Sequence, residues 1–395
     1  MPSTVRSRPH RRTARRRLVV LGVAALALVA ACQPVKNSGP PTPGLPQVYC
    51  APSTPDTAAE YQQAFDGLRQ FNTGAWIAND GGYPFELGDG RVLWLFGDTL
   101  LGLSPGGPVK TLLGIANNGF VVQDGRCFRP MTEPIPDPPG DHWIWPTSVV
   151  VDTDLNVLRV FGLHMRRTPA DPPFNFELLR VDVATFSLPD LTHVDTEALP
   201  LPTVPTYGTS VLYDEDGYVY ASGGALNLGV ATQYVARAPL AQILEADAWE
   251  FWDGSNWVPD EPDPPVPMLF DHGGDEVLTA GEGPRSAFPV TKNPNGGYLG
   301  SAFPADLLDT TFIETWHGPT PAGPWTRVET PAVDTTSYSG NPGPQRFVYG
   351  GRVIVDIPGA PFALWSTHHD DFNAVLQNPA LYKVWFAPAD PGSIP

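Results

Sequence analysis

Five hairpin segments of similar form follow one another along this chain, and only a fold built from repeated units accommodates them. The first runs from Asp80 through a turn at Gly88–Gly90 to Asp98. The second runs from Trp145 through Asp154–Asn156 to His164, and the third from Tyr207 through Asp214–Gly217 to Ser222. The fourth runs from Arg285 through Asn293–Gly297 to Phe303, and the fifth from Tyr349 through Pro358–Gly359 to His368. In each, runs rich in Val, Leu, Phe, Tyr and Trp flank a Gly, Asp, Asn or Pro turn, which is the chemistry of strand, turn and strand. A third apolar run follows each hairpin: Gly119–Gln123, Phe176–Val183, Gln233–Ala238, Thr311–Thr315 and Leu381–Phe386. One small antiparallel sheet made five times predicts an all-β, five-bladed β-propeller. A two-sheet sandwich is the rival, but it does not call for five like hairpins. The Pro-rich stretches Pro130–Pro139 and Pro259–Pro267 read as surface loops. Asp56–Gln70 carries a partial helical period, and Leu240–Ala248 is a shorter helical candidate.

Composition removes several functions. Charged residues are only 17%, too few for a coiled coil, and the formal charge of −18 opposes binding to nucleic acid phosphates. The three cysteines, Cys32, Cys50 and Cys127, form no CxxC pair, so no zinc signature is present. No cofactor motif is found, and no metal is expected. A calcium site from Asp80, Asp98 and an Asn is the nearest alternative, without loop spacing to support it.

Residues 1–31 read as an export signal. Seven arginines between Arg6 and Arg17 precede an apolar run, Leu18–Ala31, too short to span a bilayer comfortably. Leu28-Val-Ala-Ala-Cys32 resembles a bacterial lipobox, which makes Cys32 the lipidated residue and the membrane contact a lipid one. An ordinary signal peptide cut nearby is the alternative. Taking those seven arginines from the charge of −18 leaves −25, so charge would not hold the exported body to anionic lipid. Residues 32–55 form a Pro-rich tether and 56–395 the propeller. The expected location is the outer face of the cytoplasmic membrane, as a monomer. With Cys32 lipidated, Cys50 and Cys127 remain as a disulfide suited to an oxidising compartment.

Hairpin geometry then selects candidate residues. Asp80 and Asp98 are equidistant from Asp89, so a regular register sets them side by side at the open end. Paired carboxylates there push each other's pKa apart, as acid/base cleavage of a glycoside needs. The same end of the other hairpins gathers Trp145, His164, Tyr207, Arg285 and His368, with Asn117 and Asn118 after the first hairpin. Aromatic faces, amides and cations in one ring suit a polysaccharide. Each also has a structural use: Asp80 and Asp98 as turn or strand-end caps, His368 as a solvated loop residue.

The stretch from Gly74 to Thr99, with Asp80-Gly-Gly, Leu87-Gly-Asp-Gly-Arg91 and Leu93-Trp-Leu-Phe-Gly-Asp-Thr99, resembles the opening motif of the domain-of-unknown-function 4185 family. That resemblance implies a five-bladed propeller, an endo-D-arabinanase activity on α-D-arabinofuranosidic bonds of cell-wall arabinan or arabinogalactan, and Asp80 and Asp98 as the catalytic carboxylates. The alternatives are a non-catalytic propeller that binds glycan or scaffolds the envelope, and a lyase or sialidase. The latter would draw on Arg166, Arg285 and Arg352.

Overall fold

A computed structural model describes residues 48–71, 75–104, 107–170, 175–227, 230–271, 284, 287–303, 311–340 and 345–395. The expected export segment 1–31, the part of the expected tether 32–55 that runs over 32–47, with Cys32, and Arg285 lie outside the described residues. The described strands form five sheets, the blades I to V of a five-bladed β-propeller. The hairpin of each blade begins with its innermost strand: Trp76–Glu86, His142–Asp152, Thr206–Tyr213, Val290–Lys292 and Arg346–Ile354. The following strand of each hairpin pairs with it antiparallel, and the third run pairs with the second, as the repeat predicts. Leu240–Ala248 resolves into two single-turn 3-10 helices. Among the described residues no helix is long and apolar enough to cross a membrane.

The helix is Ala58–Gln70. Thr57 caps it by accepting from the Glu60 N–H, while the Glu60 carboxylate accepts from Asp56 N–H and the Thr57 hydroxyl. Its buried face, Ala58, Tyr61, Ala64, Phe65 and Leu68, closes the ring. Tyr61 and Phe65 pack on Trp94 of blade I and also on Phe386 of blade V. Each ring so buried contributes about 2–3 kcal/mol. The Tyr61 hydroxyl donates to Pro358 O at 2.8 Å, and the Lys383 ammonium to Asp66 at 3.2 Å. Blade I draws its strands from the start of the chain and blade V from the end, so this helix does what strand exchange does in other propellers. A disulfide joins Cys50 to Cys127 across the outer edge of blade I, where Tyr49–Cys50 pairs with Cys127–Phe128. The expected pairing is present.

Four inner strands break register at the same level: between Asn79 and Tyr83, Pro146 and Ser148, Tyr207 and Ser210, and Tyr349 and Arg352. Bulges turn the strand and re-aim side chains. At that level serine hydroxyls tie one blade to the next. Ser148 Oγ accepts from Val211 N–H, Ser210 Oγ from Val290 N–H, Ser301 Oγ from Val353 N–H, and Ser366 Oγ from Gly81 N–H. These bonds span junctions II–III, III–IV, IV–V and V–I.

Candidate active site

The bulge in blade I sets Asp80 at the open end. On its own strand it is the single residue between Asn79 and Gly81; on the partner strand Gly97 and Asp98 stand between Phe96 and Thr99. The expectation of facing carboxylates holds, through an irregular register rather than a regular one. Gly81 has φ +86°, in the left-handed region where a side chain is strained. A Cβ on Gly97 would lie 2.5 Å from Asp80 Oδ1, so only glycine leaves room for the carboxylate. Asp80, Tyr207 and Tyr349 each precede a positive-φ glycine at this step. Blade I thus carries an acid where blades III and V carry an aromatic.

Two tyrosines from blade V hold the pair. The Tyr349 hydroxyl donates to Asp80 Oδ2 at 2.8 Å, and the Tyr382 hydroxyl donates to Asp98 O at 2.8 Å. From blade II the Trp145 indole N–H donates to Asp98 Oδ1 at 2.7 Å. Asp80 is 4% exposed, and burial pushes its pKa up to about 6 against hydrogen bonds from Tyr349, Tyr382 and the Asp98 N–H. Asp98 is half-buried and more accessible. Its pKa is raised well above the usual range, first by burial and then by the charge of Asp80; the Trp145 N–H opposes this, Asp137 adds to it and Arg167 opposes it. Burial and mutual charge thus raise both carboxyls, so the pair readily keeps one proton.

The rest of the expected ring is differently built. Asn118 is fully buried: its Nδ2 donates to Ile135 O at 2.9 Å and its Oδ1 accepts from Ile135 N at 3.0 Å, leaving nothing for a ligand. It fixes the loop that returns exposed Asp137 to the half-buried Asn117, whose Nδ2 donates to Asp137 Oδ2 at 2.7 Å. Trp145 is 5% exposed, edge-on to Trp143 and Phe176, and serves as a donor to Asp98 rather than a sugar platform. Tyr207 is buried and donates to Glu261 at 2.8 Å, so the Pro259–Pro267 loop reaches inward to meet it. His164 is buried between His142 and Asp182. His368 is 1% exposed, edge-on to Tyr382 at 4.6 Å, with its pKa lowered to about 4 by burial. It is neither a solvated loop residue nor an open ligand, because the chain between Phe362 and His369 is the middle strand of blade V. Of the candidate arginines, Arg166 pairs with exposed Glu177, and Arg352 lies 3.4 Å over the Tyr83 ring. Among the described residues no cluster of His, Cys, Asp and Glu stands ready to hold a metal.

Sequence reasoning missed Tyr382, Asp137, Arg167 and His142. Tyr382 and Asp137 come from connections between strands, whose return to the site no hairpin symmetry encodes.

Fold and site together define a five-bladed propeller with a carboxylate pair, one buried and one half-buried, at the open end of the first hairpin. The chain belongs to the family described as domain of unknown function DUF5005, which matches residues 62–340. No curated protein matches it. A solved structure from Bacteroides ovatus, described as a candidate hydrolase, is 15% identical, covers 87% of this chain and 94% of its own, and superposes with a TM-score of 0.62. A GH43_1 enzyme from Xanthomonas citri in complex with xylose is 15% identical over 79% of this chain and 87% of its own, at 0.47. A glycoside hydrolase family 43 arabinoxylan arabinofuranohydrolase from Bacillus subtilis is 12% identical over 80% of this chain and 66% of its own, also at 0.47.

Proposed function

We propose that this protein is a glycoside hydrolase of the cell envelope and that its substrate is an arabinan, cleaved within the chain. The observation that carries the reading is the Asp80–Asp98 pair, one bulge apart, with protonation states pulled apart by burial and by each other. Asp98, the more exposed member, donates a proton to the glycosidic oxygen as the bond to the anomeric carbon breaks. Water then attacks that carbon and passes its proton to the Asp80 carboxylate. Tyr349 and the Asp98 N–H keep Asp80 ionised for that step. The arabinan assignment rests on the resemblance of residues 74–99 to the opening motif of the arabinanase-containing family. Export and a lipid on Cys32 rest on the N-terminal sequence, and the Cys50–Cys127 disulfide fits an oxidising compartment. A pure binding module fits less well, since Trp145 and Tyr207 are buried and offer no open face to a sugar.

The test is reducing-end release from arabinan, arabinogalactan and lipoarabinomannan. Wild type is expected to release oligosaccharides, and Asp80→Asn and Asp98→Asn to lose about 1,000-fold in rate with the fold intact. No release from any of the three by a folded wild-type protein would end the arabinan reading.

A further inference from the structure

A second polar constellation crosses blade II. Arg180 Nε donates to Asp182 Oδ1 at 2.6 Å, and Asp182 Oδ2 meets His164 Nδ1 at 2.6 Å. His164 Nε2 meets His142 Nδ1 at 2.9 Å, with the rings edge-on at 74°. The chain of contacts runs from the third strand of the blade, Phe176–Ser187, through the second, Val157–Arg167, to the first residue of the innermost strand. His164 and Asp182 are each about as buried as core residues. A buried ion pair contributes little net stability, and apolar side chains of the same volume would serve a structural role as well.

The chain of contacts is satisfied by one tautomer of each histidine. Asp182, already paired with Arg180, accepts from His164 Nδ1–H. With that proton on Nδ1, the remaining nitrogen of His164 is placed to accept from His142 Nδ1–H. That leaves the lone pair of His142 on Nε2, which has no hydrogen-bond partner among the described residues. His142 is half-buried and shares its face of the sheet with Ile144, which packs toward blade I beside Ile135. It stands three residues ahead of Trp145 on the same strand, about 10 Å along it. The neighbouring Asp141 O accepts from Arg167 N–H, and Arg167 is a cation that acts on Asp98. An acceptor held in this way, one short oligosaccharide from the acid pair, suits a sugar hydroxyl.

We infer that His142 is a substrate-binding residue: its Nε2 accepts a hydroxyl of the glycan bound at the Asp80–Asp98 mouth, while His164, Asp182 and Arg180 position it. The inference rests on the arabinan reading above. Its test is a titration of the Asp98→Asn protein, labelled with nitrogen-15 in histidine and tryptophan, with linear arabinan oligosaccharides. The free protein should show His142 protonated at Nδ1. On addition of the oligosaccharide, the His142 Nε2 and Trp145 indole signals should both move, and those of His193 and His317 should not. His142→Ala should weaken binding about tenfold, the loss of one buried hydrogen bond, and His142→Gln should recover part of it. A His142 proton on Nε2, or a Trp145 signal that moves while His142 stays still, overturns the inference and leaves the arabinan reading standing. If neither signal moves, the arabinan reading fails and this inference falls with it.

Discussion

Four junctions of the ring and the fifth solve the same problem with different chemistry. Where blades II–III, III–IV, IV–V and V–I meet, a serine hydroxyl of one blade accepts a backbone N–H of the next. At the same level between blades I and II, the carboxylate of Asp98 accepts the Trp145 indole N–H. A hydroxyl is neutral, and burying it with a partner costs little. A carboxylate beside a second carboxylate is costly to bury. The ring therefore gives up stability at one junction, and that junction is where charge can do work.

The contrast is sharpest in rate. Replacing either aspartate by asparagine should lower glycan cleavage about 1,000-fold, whereas Ser148→Ala should leave the rate near wild type. Equal losses in the two kinds of variant would erase the distinction between junctions. Stability should move the opposite way. The folded pKa of Asp80, about 6, lies above its ordinary 3.8, so the folded state holds more protons than the unfolded chain. Stability then falls as pH rises between these values and stays reduced above them. Asp80→Asn should thus gain up to about 3 kcal/mol at pH 8 and almost nothing at pH 3, read by urea unfolding at both. A gain that is the same at both values would show that ionisation is not its source.

At a serine junction the sign reverses. Ser366→Ala leaves the Gly81 N–H buried without its acceptor and should cost about 1–2 kcal/mol, seen as a lower melting temperature at every pH. The smallest expected effect is at the rim. Asn117→Ala releases Asp137 and should change stability by no more than about 0.5 kcal/mol, while altering the pH profile of cleavage through the charge near Asp98. A profile identical to wild type would remove Asp137 from the electrostatics of the site.

The fold was legible because a hairpin announces itself locally, and five of them leave few architectures. The Asp80–Asp98 pair was legible for the same reason: symmetry about the Gly88–Gly90 turn survives the compensating bulges on either side of Gly81. The surrounding ring was harder to read. Position along a strand gives the level of Trp145, Tyr207 or His368 but not what a later part of the same blade lays over it. Each lies beneath neighbours from another segment: Phe176, Phe251 and Tyr382. Asn118 lies at the expected level, but its amide is spent on the backbone of Ile135. The serine ties left a trace in Thr147-Ser-Val-Val and Thr209-Ser-Val-Leu, but a hydroxyl's partner in another blade has no local signature.

The helix that joins blade I to blade V carries a consequence for the order in which the molecule is made. Asp80 receives the Tyr349 hydroxyl across 269 positions of chain, and Gly81 meets Ser366 across 285. Contacts this distant in sequence are the slowest to form. A chain emerging from its amino end can fold blade I, disulfide included, long before its proton donor and acceptor have their supports. Only when the last sheet docks against Tyr61 and Phe65 does the Tyr349 hydroxyl reach the Asp80 carboxylate and the Tyr382 hydroxyl the backbone carbonyl of Asp98. Chemical competence thus arrives as the final event of assembly, and a product truncated before blade V would carry both aspartates without the means to set their protons apart.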